Sequence, residues 1–211
     1  WTKITSGIAP EDFTRVLRAD PARNGLLYCG TEKGMYISFN DGANWQTFQL
    51  NLPIVPITDL AVKENNLIAA TQGRSLWIID DLTPLHQLTD EVAKSDFYLY
   101  RPMPTYRFGG IGSGEAEYSG ENRRNGLMLY YYLKQKPDTA TTVTLEFLEQ
   151  DTIVIRKFSN KAKEKRDLLE PKDSCNLFVW DLNYPGAKRF DGMILWWAGV
   201  GGPTALPGDY K

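Results

Sequence analysis

The chain has 211 residues, enough for one large domain or two small ones, and its apolar fraction of 42% and charged fraction of 24% are ordinary for a folded protein. A formal net charge of −2 without a clustered basic excess argues against nucleic acid as a partner, because binding a phosphate backbone requires such an excess. No apolar run approaches the ~20 residues that cross a bilayer, so we expect no membrane span.

The first half of the chain is predicted to consist of short β-strands that repeat with a period of about 40 residues. The apolar stretch 26–31 is echoed by 67–71 and the stretch 35–37 by 76–78, with a polar, glycine-bearing loop inside each pair. Residues 1–4 likewise echo residues 45–48, and each is followed by an apolar strand, at 13–17 and 57–62. Repeats of this length are typical of the four-stranded blades of a β-propeller. We therefore predict about two blades over residues 1–96.

A polar motif, Ser-Phe-Asn-Asp-Gly-Ala-Asn-Trp, occupies residues 38–45 between two of these strands. Asn40 can accept backbone N–H bonds across a tight turn, Gly42 can adopt a positive φ, and Trp45 can pack back onto the turn. The motif resembles the Asp box, Ser/Thr-x-Asp-x-Gly-x-x-Trp, with Asn at the usual aspartate position. We assign a structural role to Ser38, Asn40, Gly42 and Trp45. One acidic residue cannot supply the about six to eight oxygens that calcium takes, so we predict no metal here. No Gly-x-Gly-x-x-Gly or Walker-type loop opens a helix, so we also predict no cofactor.

With the repeat, this motif makes the first half similar to the end of an Asp-box propeller of the sortilin-like or BNR-repeat type. Such propellers occur in large secreted bacterial proteins often described as glycosyl hydrolase-like. The resemblance implies a secreted, periplasmic or cell-surface location, and the remaining blades of a parent chain as partners. Residues 80–84, Asp-Asp-Leu-Thr-Pro, lack the glycine of the box. That loss suits a closing blade, where the chain leaves the ring.

Four residues of the predicted propeller are candidates for ligand contact. Glu32 and Lys33 lie in the loop between the second and third strands of one blade, and Arg74 and Trp77 lie in or beside the equivalent loop of the next. The resemblance implies that these loops open on the face where propellers bind ligands, here a glycan or a protein. The alternative is that the loop charges are only solvated.

Catalytic candidates are few. His86 is the only histidine, and a structural role suits it better than a place in a catalytic triad. Cys29 and Cys175 lie in apolar stretches, which favours buried free thiols over a disulfide, and two distant cysteines with one histidine do not make a zinc site. Glycoside hydrolysis needs two carboxylates across a cleft, for which Asp59, Asp80, Asp81 and Glu32 are conceivable. Propeller active sites draw on several blades, so we assign no catalytic residue here.

The second half begins with a predicted linker over residues 97–126, which is rich in glycine and proline. Strand patterns resume at 127–133, 141–148, 152–158, 176–182 and 193–198, and the one helix candidate is a turn or two around 88–93. Strands without intervening helices predict an immunoglobulin-like β-sandwich over residues 127–211. Trp196 and Trp197, as neighbours on a strand, are expected to point to opposite faces.

Two short motifs in this half resemble those of a FlgD-type, secretion-associated immunoglobulin-like domain. They are Asn-Leu-Phe-Val-Trp-Asp at 176–181 and Pro-Gly-Asp-Tyr at 207–210. In that family the Trp-Asp pair ends a core strand and the Gly-x-Tyr element begins the final strand. The resemblance therefore implies that the last strand is truncated at Lys211.

Three functions fit these patterns. The first is a non-catalytic binding or scaffold fragment of a larger secreted or surface-associated propeller protein, which recognises protein or glycan ligands through its loops. The second is a fragment of a glycoside hydrolase whose active site needs blades that are missing here. The third is a secretion or sorting module. In each case an incomplete ring leaves strand edges and apolar faces uncovered, so we expect the chain either to self-associate or to depend on the missing blades.

Overall fold

The computed structural model of the protein describes residues 1–107, 124–188, 190, 192–197 and 199–211. Within these ranges the chain forms twelve strands, two five-residue α-helices and one short 3-10 turn. The strands build several small antiparallel sheets, none of which closes on itself. The predicted all-β class is therefore confirmed. By its contacts the chain divides into two compact units, Trp1–Leu88 and Thr89–Lys211.

The first unit contains two antiparallel sheets whose strands follow one another in chain order. The four-stranded sheet consists of β1 (Thr14–Ala19), β2 (Leu27–Thr31), β3 (Met35–Ser38) and β4 (Gln46–Thr47). The three-stranded sheet consists of β5 (Ile57–Lys63), β6 (Asn66–Thr71) and β7 (Leu76–Ile79), and helix α1 (Thr83–Gln87) follows it. The strands predicted in 13–78 are thus confirmed to within a few residues.

Strands β2 and β3 are buried on both faces, which explains their continuous apolar runs. Alternate side chains point to opposite faces of a strand. Tyr28 and Ile37 therefore pack in the core that also contains Leu60 and Leu67 of the three-stranded sheet. Cys29 lies on the other face, in a small cluster with Tyr36 and Trp45.

The second unit contains helix α2 and two further small sheets. Helix α2 (Asp90–Lys94) precedes β8 (Phe97–Leu99), β9 (Leu127–Leu133), β10 (Thr144–Glu149), β11 (Ile153–Ser159), a 3-10 turn (Lys165–Asp167) and β12 (Ser174–Trp180). One sheet has the order β12-β9-β8, and the other is the hairpin β10-β11. Aromatic and aliphatic side chains from both sheets share one core, including Tyr131, Phe147, Phe158 and Trp180.

The structure differs from several expectations for the start of the first unit and for the middle of the chain. Residues 1–4 form no strand, because no neighbouring strand offers them backbone partners in the described chain. The predicted helix around 88–93 corresponds to α2, which Thr89 caps by accepting from the N–H of Val92 at 3.2 Å, whereas α1, over Thr83–Gln87, was not predicted. Within the predicted linker, Phe97–Leu99 pairs with β9 and Tyr100 is buried. The glycine-rich remainder, 108–123, lies outside the described residues.

Two expectations for the second half are wrong. Residues 193–197 form no strand, and position 198 lies outside the described residues. Trp197 has a φ of 67°, which is incompatible with an extended strand, and both Trp196 and Trp197 are exposed. Cys175 is also exposed, whereas Cys29 is buried as expected, and both are free thiols. Cys175 lies on β12, an edge strand, where an apolar sequence does not guarantee burial.

Candidate functional site

The first unit carries two hairpin loops with the same internal hydrogen bonds. In the first hairpin loop (residues 31–34) the backbone N–H and the hydroxyl of Thr31 both donate to the carbonyl oxygen of Gly34, at 2.8 and 3.1 Å. In the second hairpin loop (residues 71–75) Thr71 makes the same two bonds to Ser75, at 3.2 and 2.6 Å. Each threonine hydroxyl also accepts a backbone N–H, from Lys33 at 3.2 Å and from Arg74 at 3.1 Å. The hydrogen-bond pattern therefore recurs, although the second loop is one residue longer than the first.

Each hairpin loop is also tied to the segment that leads into the first strand of its sheet. The N–H of Glu32 donates to the carbonyl oxygen of Phe13 at 3.1 Å, and the N–H of Gln72 donates to that of Pro56 at 2.9 Å. These bonds hold both loops against the entry of β1 and β5. Both loops consequently lie at the corresponding end of their sheets.

Two of the four candidate ligand contacts, Glu32 and Lys33, are engaged in ion pairs. The Glu32 carboxylate accepts from Nε of Arg15 at 2.7 Å and lies 2.5 Å from its Nη2. The ammonium group of Lys33 lies 3.8 Å from the carboxylate of Glu11. The charges of the first hairpin loop are therefore largely balanced by near neighbours.

The other two candidates, Arg74 and Trp77, differ from each other. Arg74 is exposed at the tip of the second hairpin loop, and its guanidinium makes no ion pair with any residue that the structure describes. Trp77 is half-buried against the core of the first unit, and its indole N–H donates to the carbonyl oxygen of Arg74 at 2.9 Å. Trp77 thus supports the loop, while Arg74 presents a positive charge to solvent.

The turn that contains the predicted box motif is held by side-chain oxygens. The hydroxyl of Ser38 accepts from the N–H of Gly42 at 3.0 Å, and Oδ1 of Asn40 accepts from the N–H of Asn44 at 2.9 Å. Gly42 has a φ of 82°. Trp45 is buried, and its indole N–H donates to the carbonyl oxygen of Ile4 at 2.7 Å. Hydrogen bonds within the turn therefore fix its shape, and the Trp45 indole links it to the segment that precedes β1.

The four conceivable hydrolytic carboxylates lie in different settings. Glu32 is paired with Arg15, and Asp59 on β5 accepts from Arg18 on β1 at 2.6 Å. Asp81 is 4% exposed and accepts from the N–H of Thr83 at 2.9 Å and from Nδ2 of Asn65 at 2.6 Å, whereas Asp80 is exposed. Three of the four are committed to structural partners.

A buried polar cluster around Asp20 was not predicted from the sequence. Oδ1 of Asp20 accepts the N–H groups of Ala22 and Arg23, at 2.8 and 3.0 Å. Oδ2 accepts the Tyr28 hydroxyl at 2.8 Å and lies 2.9 Å from Nε2 of His86. The Arg23 guanidinium donates to the carbonyl oxygen of Leu85 and lies over the ring of Phe39. Together these contacts fasten the β1–β2 loop to helix α1.

The ionisation of this cluster follows from burial and hydrogen bonding. Burial raises the pKa of Asp20, but the hydrogen bonds from His86, Ala22 and Tyr28 outweigh it, and the pKa lies below its ordinary value. Burial, reinforced by the Asp20 charge, raises the pKa of Tyr28. Among the described residues no serine or cysteine is hydrogen-bonded to His86. The contacts of the cluster are therefore those of a structural link between the β1–β2 loop and helix α1.

The Asp-Pro and Asn-Gly pairs at 20–21 and 24–25 signal a turn in the sequence, but no local pattern signals that the Asp20 side chain is buried.

Comparisons with protein-family models, with curated proteins and with solved structures found no match for this chain. In the part of the chain that the structure describes, no group of three or more His, Cys, Asp or Glu side chains could hold a metal ion. Nor is any described helix long and apolar enough to cross a membrane.

Proposed function

We propose that the chain is a non-catalytic binding and scaffold part of a larger Asp-box propeller protein, with an immunoglobulin-like domain after the blades. The observation that carries this proposal is the recurrence of the hairpin loop, with equivalent bonds at Thr31 and Thr71. A repeat at this level supports two successive blades of one propeller. The meander order of both sheets in the first unit agrees with it.

The immunoglobulin-like assignment of the second half is supported by two contacts. Trp180 ends β12 and is 1% exposed, and Tyr210 packs edge-on against it with ring centroids 5.9 Å apart. Two sheets that share one aromatic core agree with a sandwich. A role for this domain in secretion or sorting rests on the family resemblance alone, so we rank it below a scaffold role.

For ligand recognition we propose the second hairpin loop, with Arg74 as its main contact. An exposed guanidinium that has no ion-pair partner among the described residues, on a loop held by hydrogen bonds, suits an anionic partner, such as a carboxylated or sulfated glycan or an acidic protein surface. The hydrolase alternative is less well supported, because Glu32, Asp59 and Asp81 are engaged by structural partners.

The test compares the wild-type protein with Arg74→Ala and a control, Lys63→Ala, on an array of neutral, carboxylated and sulfated glycans. Lys63 is exposed at the opposite end of β5, so its replacement removes one positive charge away from the loop. We expect Arg74→Ala to weaken binding to an anionic glycan about tenfold, the value of one charge-assisted hydrogen bond, and Lys63→Ala to leave it unchanged. Equal loss in both variants, or binding that neither affects, would reject Arg74 as the contact. Hydrolysis of any array glycan by the chain would reject the non-catalytic role.

A further inference from the structure

Backbone hydrogen bonds in the second unit hold the two ends of a loop together. The N–H of Tyr184 donates to the carbonyl oxygen of Pro203 at 2.9 Å, and the N–H of Ala187 donates to that of Val200 at 3.0 Å. We call residues 182–187 and 200–205 the stem and residues 188–199 the apolar loop. Positions 189, 191 and 198 of this loop lie outside the described residues. The stem fixes where the apolar loop begins and ends.

The apolar loop exposes its large side chains. Ile194, Trp196 and Trp197 are 92%, 90% and 97% exposed, and Phe190 and Leu195 are exposed as well. Trp197 has a φ of 67°, a conformation that a bulky side chain disfavours and that points to a functional constraint on the backbone. Single exposed apolar residues are ordinary on a protein surface, whereas several on one loop mark an interaction site.

The indole N–H groups of this loop are also free to bind an acceptor. The indoles of Trp45, Trp77 and Trp180 each donate to a backbone carbonyl oxygen. Among the described residues, none accepts a hydrogen bond from the indole of Trp196 or Trp197. Each of these two rings therefore combines an apolar body with a free donor. That combination favours the boundary between water and the hydrocarbon of a lipid bilayer.

A positive charge stands at the start of the apolar loop. Lys188 is exposed, and within the described part of the chain its ammonium group forms no ion pair. A cation next to exposed apolar side chains complements a lipid surface that has anionic head groups, because the charge pairs with the head groups while the apolar groups enter the layer below them.

The exposure of the loop favours a lipid surface over a protein or a sugar. A protein partner covers one side of a loop, and its main contacts are side chains that pack tightly against their neighbours. Ile194, Trp196 and Trp197, in contrast, are open to solvent in nearly every direction. A fluid lipid layer surrounds such side chains from all sides and needs no matching shape. A sugar face stacks on flat rings, which leaves the aliphatic Ile194 and Leu195 without a role.

We propose that the apolar loop is a membrane-contact loop, which inserts Ile194, Trp196 and Trp197 into the interfacial layer of a lipid bilayer and pairs Lys188 with anionic head groups. The stem holds the base of the loop before insertion, so less order has to be gained on binding. Contact of this kind is peripheral and requires no segment that spans the bilayer. The inference concerns the second unit and does not depend on the proposed role of Arg74.

The test measures co-flotation of the protein with vesicles of phosphatidylcholine alone and of an equal mixture with phosphatidylglycerol. The protein is used at about 0.1 μM, below the concentration at which we expect self-association. We expect wild type to bind and Trp196→Ala, Trp197→Ala to bind about tenfold or more weakly, because two inserted rings are lost. The matched control, Trp1→Ala, Ile54→Ala, removes two exposed apolar side chains elsewhere and should bind like wild type.

Two further measurements test the charge and the insertion. Lys188→Ala should weaken binding to the mixed vesicles several-fold and leave binding to phosphatidylcholine unchanged, because a cation contributes where the lipids are anionic. Equal weakening on both vesicles would contradict the pairing of Lys188 with head groups. At saturating lipid, brominated phosphatidylcholine should quench the tryptophan fluorescence of wild type but not that of Trp196→Ala, Trp197→Ala.

The proposal is overturned if wild type binds neither vesicle, or if wild type and Trp196→Ala, Trp197→Ala bind equally well. The midpoint of urea unfolding of this variant should match wild type, because the two rings pack on nothing; a lowered midpoint would show that they belong to the fold. Sedimentation velocity at micromolar concentration tests a second copy of the chain as the occupant. A wild-type dimer that this variant turns into monomer, without vesicle binding by either protein, would assign the loop to self-association instead.

Discussion

At the residue scale, Asp20 shows how one buried carboxylate joins parts of the chain that are distant in sequence. It accepts hydrogen bonds from its own loop and from Tyr28, and it contacts His86, which lies 66 positions away. A buried acceptor with several donors stabilises the fold only while all of them are satisfied. Its removal therefore leaves several polar groups in an apolar setting without a partner.

We predict that Asp20→Asn lowers the free energy of unfolding of the first unit by about 2–4 kcal/mol, since the amide cannot accept all four hydrogen bonds. Urea denaturation followed by tryptophan fluorescence checks this value. Asp80→Asn, at an exposed position, is the control and should change stability by less than about 0.5 kcal/mol. Equal effects of the two variants would contradict the structural role of Asp20.

The stabilising effect of Asp20 should depend on pH. Its folded-state pKa lies below the unfolded value of about 3.9, so its contribution is complete above that value and is lost as pH falls through the folded pKa. The stability difference between wild type and Asp20→Asn should therefore shrink on going from pH 7 to acid. A difference that stays constant down to pH ~2.5 would show that the carboxylate charge is not involved.

At the scale of elements, the two sheets of the first unit approach each other closely at Gly30. A Cβ built on this residue would lie 2.7 Å from Cγ2 of Ile57 and 2.7 Å from Cγ1 of Val16. Both neighbours are branched side chains on strands, so neither can easily move away. The hairpins themselves were predicted from local patterns, but this contact between β2 and β5 was not, because it joins strands of different sheets.

We predict that Gly30→Ala destabilises the first unit by about 1–3 kcal/mol, the usual cost of overpacking a core. Gly199→Ala is the matched control, because a Cβ there meets no atom within 4 Å. Thermal and urea unfolding of both variants give the comparison. If Gly30→Ala unfolded with the same midpoint as wild type, β2 and β5 would not pack as closely as described.

At the scale of the whole molecule, open sheet edges carry apolar side chains. Strand β7 ends its sheet, and its Leu76 and Ile78 are 66% and 56% exposed, while Trp77 and Ile79 pack on the core. Strand β1 ends the other sheet and exposes Leu17. Unpaired edges with apolar side chains favour pairing with another chain.

We therefore predict concentration-dependent self-association of the protein at micromolar concentration. The double variant Leu76→Lys, Ile78→Lys should shift it toward monomer, because charges on an edge strand oppose edge-to-edge pairing. Thr139→Lys, Thr152→Lys adds the same charge at exposed positions elsewhere and serves as the control. Sedimentation velocity measures the outcome. A wild-type protein that is monomeric at about 50 μM would contradict this prediction.

Most of the strands could be predicted from the sequence, and so could the hairpin loops between them. Apolar alternation and the turn residues that bound it act over a few positions, so the strands and turns within residues 26–37 and 57–79 could be predicted from their local sequence. The pattern failed at 193–197, where apolar residues have no partner strand in the described chain and Trp197 adopts a positive φ. An apolar run is a strand only when a second strand completes its hydrogen bonds.

The sequence by itself determined the all-β class and the repeat that places Thr31 and Thr71 in equivalent turns, because these depend on neighbouring residues. Only the tertiary structure decided that Asp20 and Asp81 are buried, that Cys175 is exposed, and that Trp77 supports a loop. It alone brought Lys211 beside Leu148. Burial and pairing between distant segments depend on how the sheets pack, and no local pattern encodes that packing.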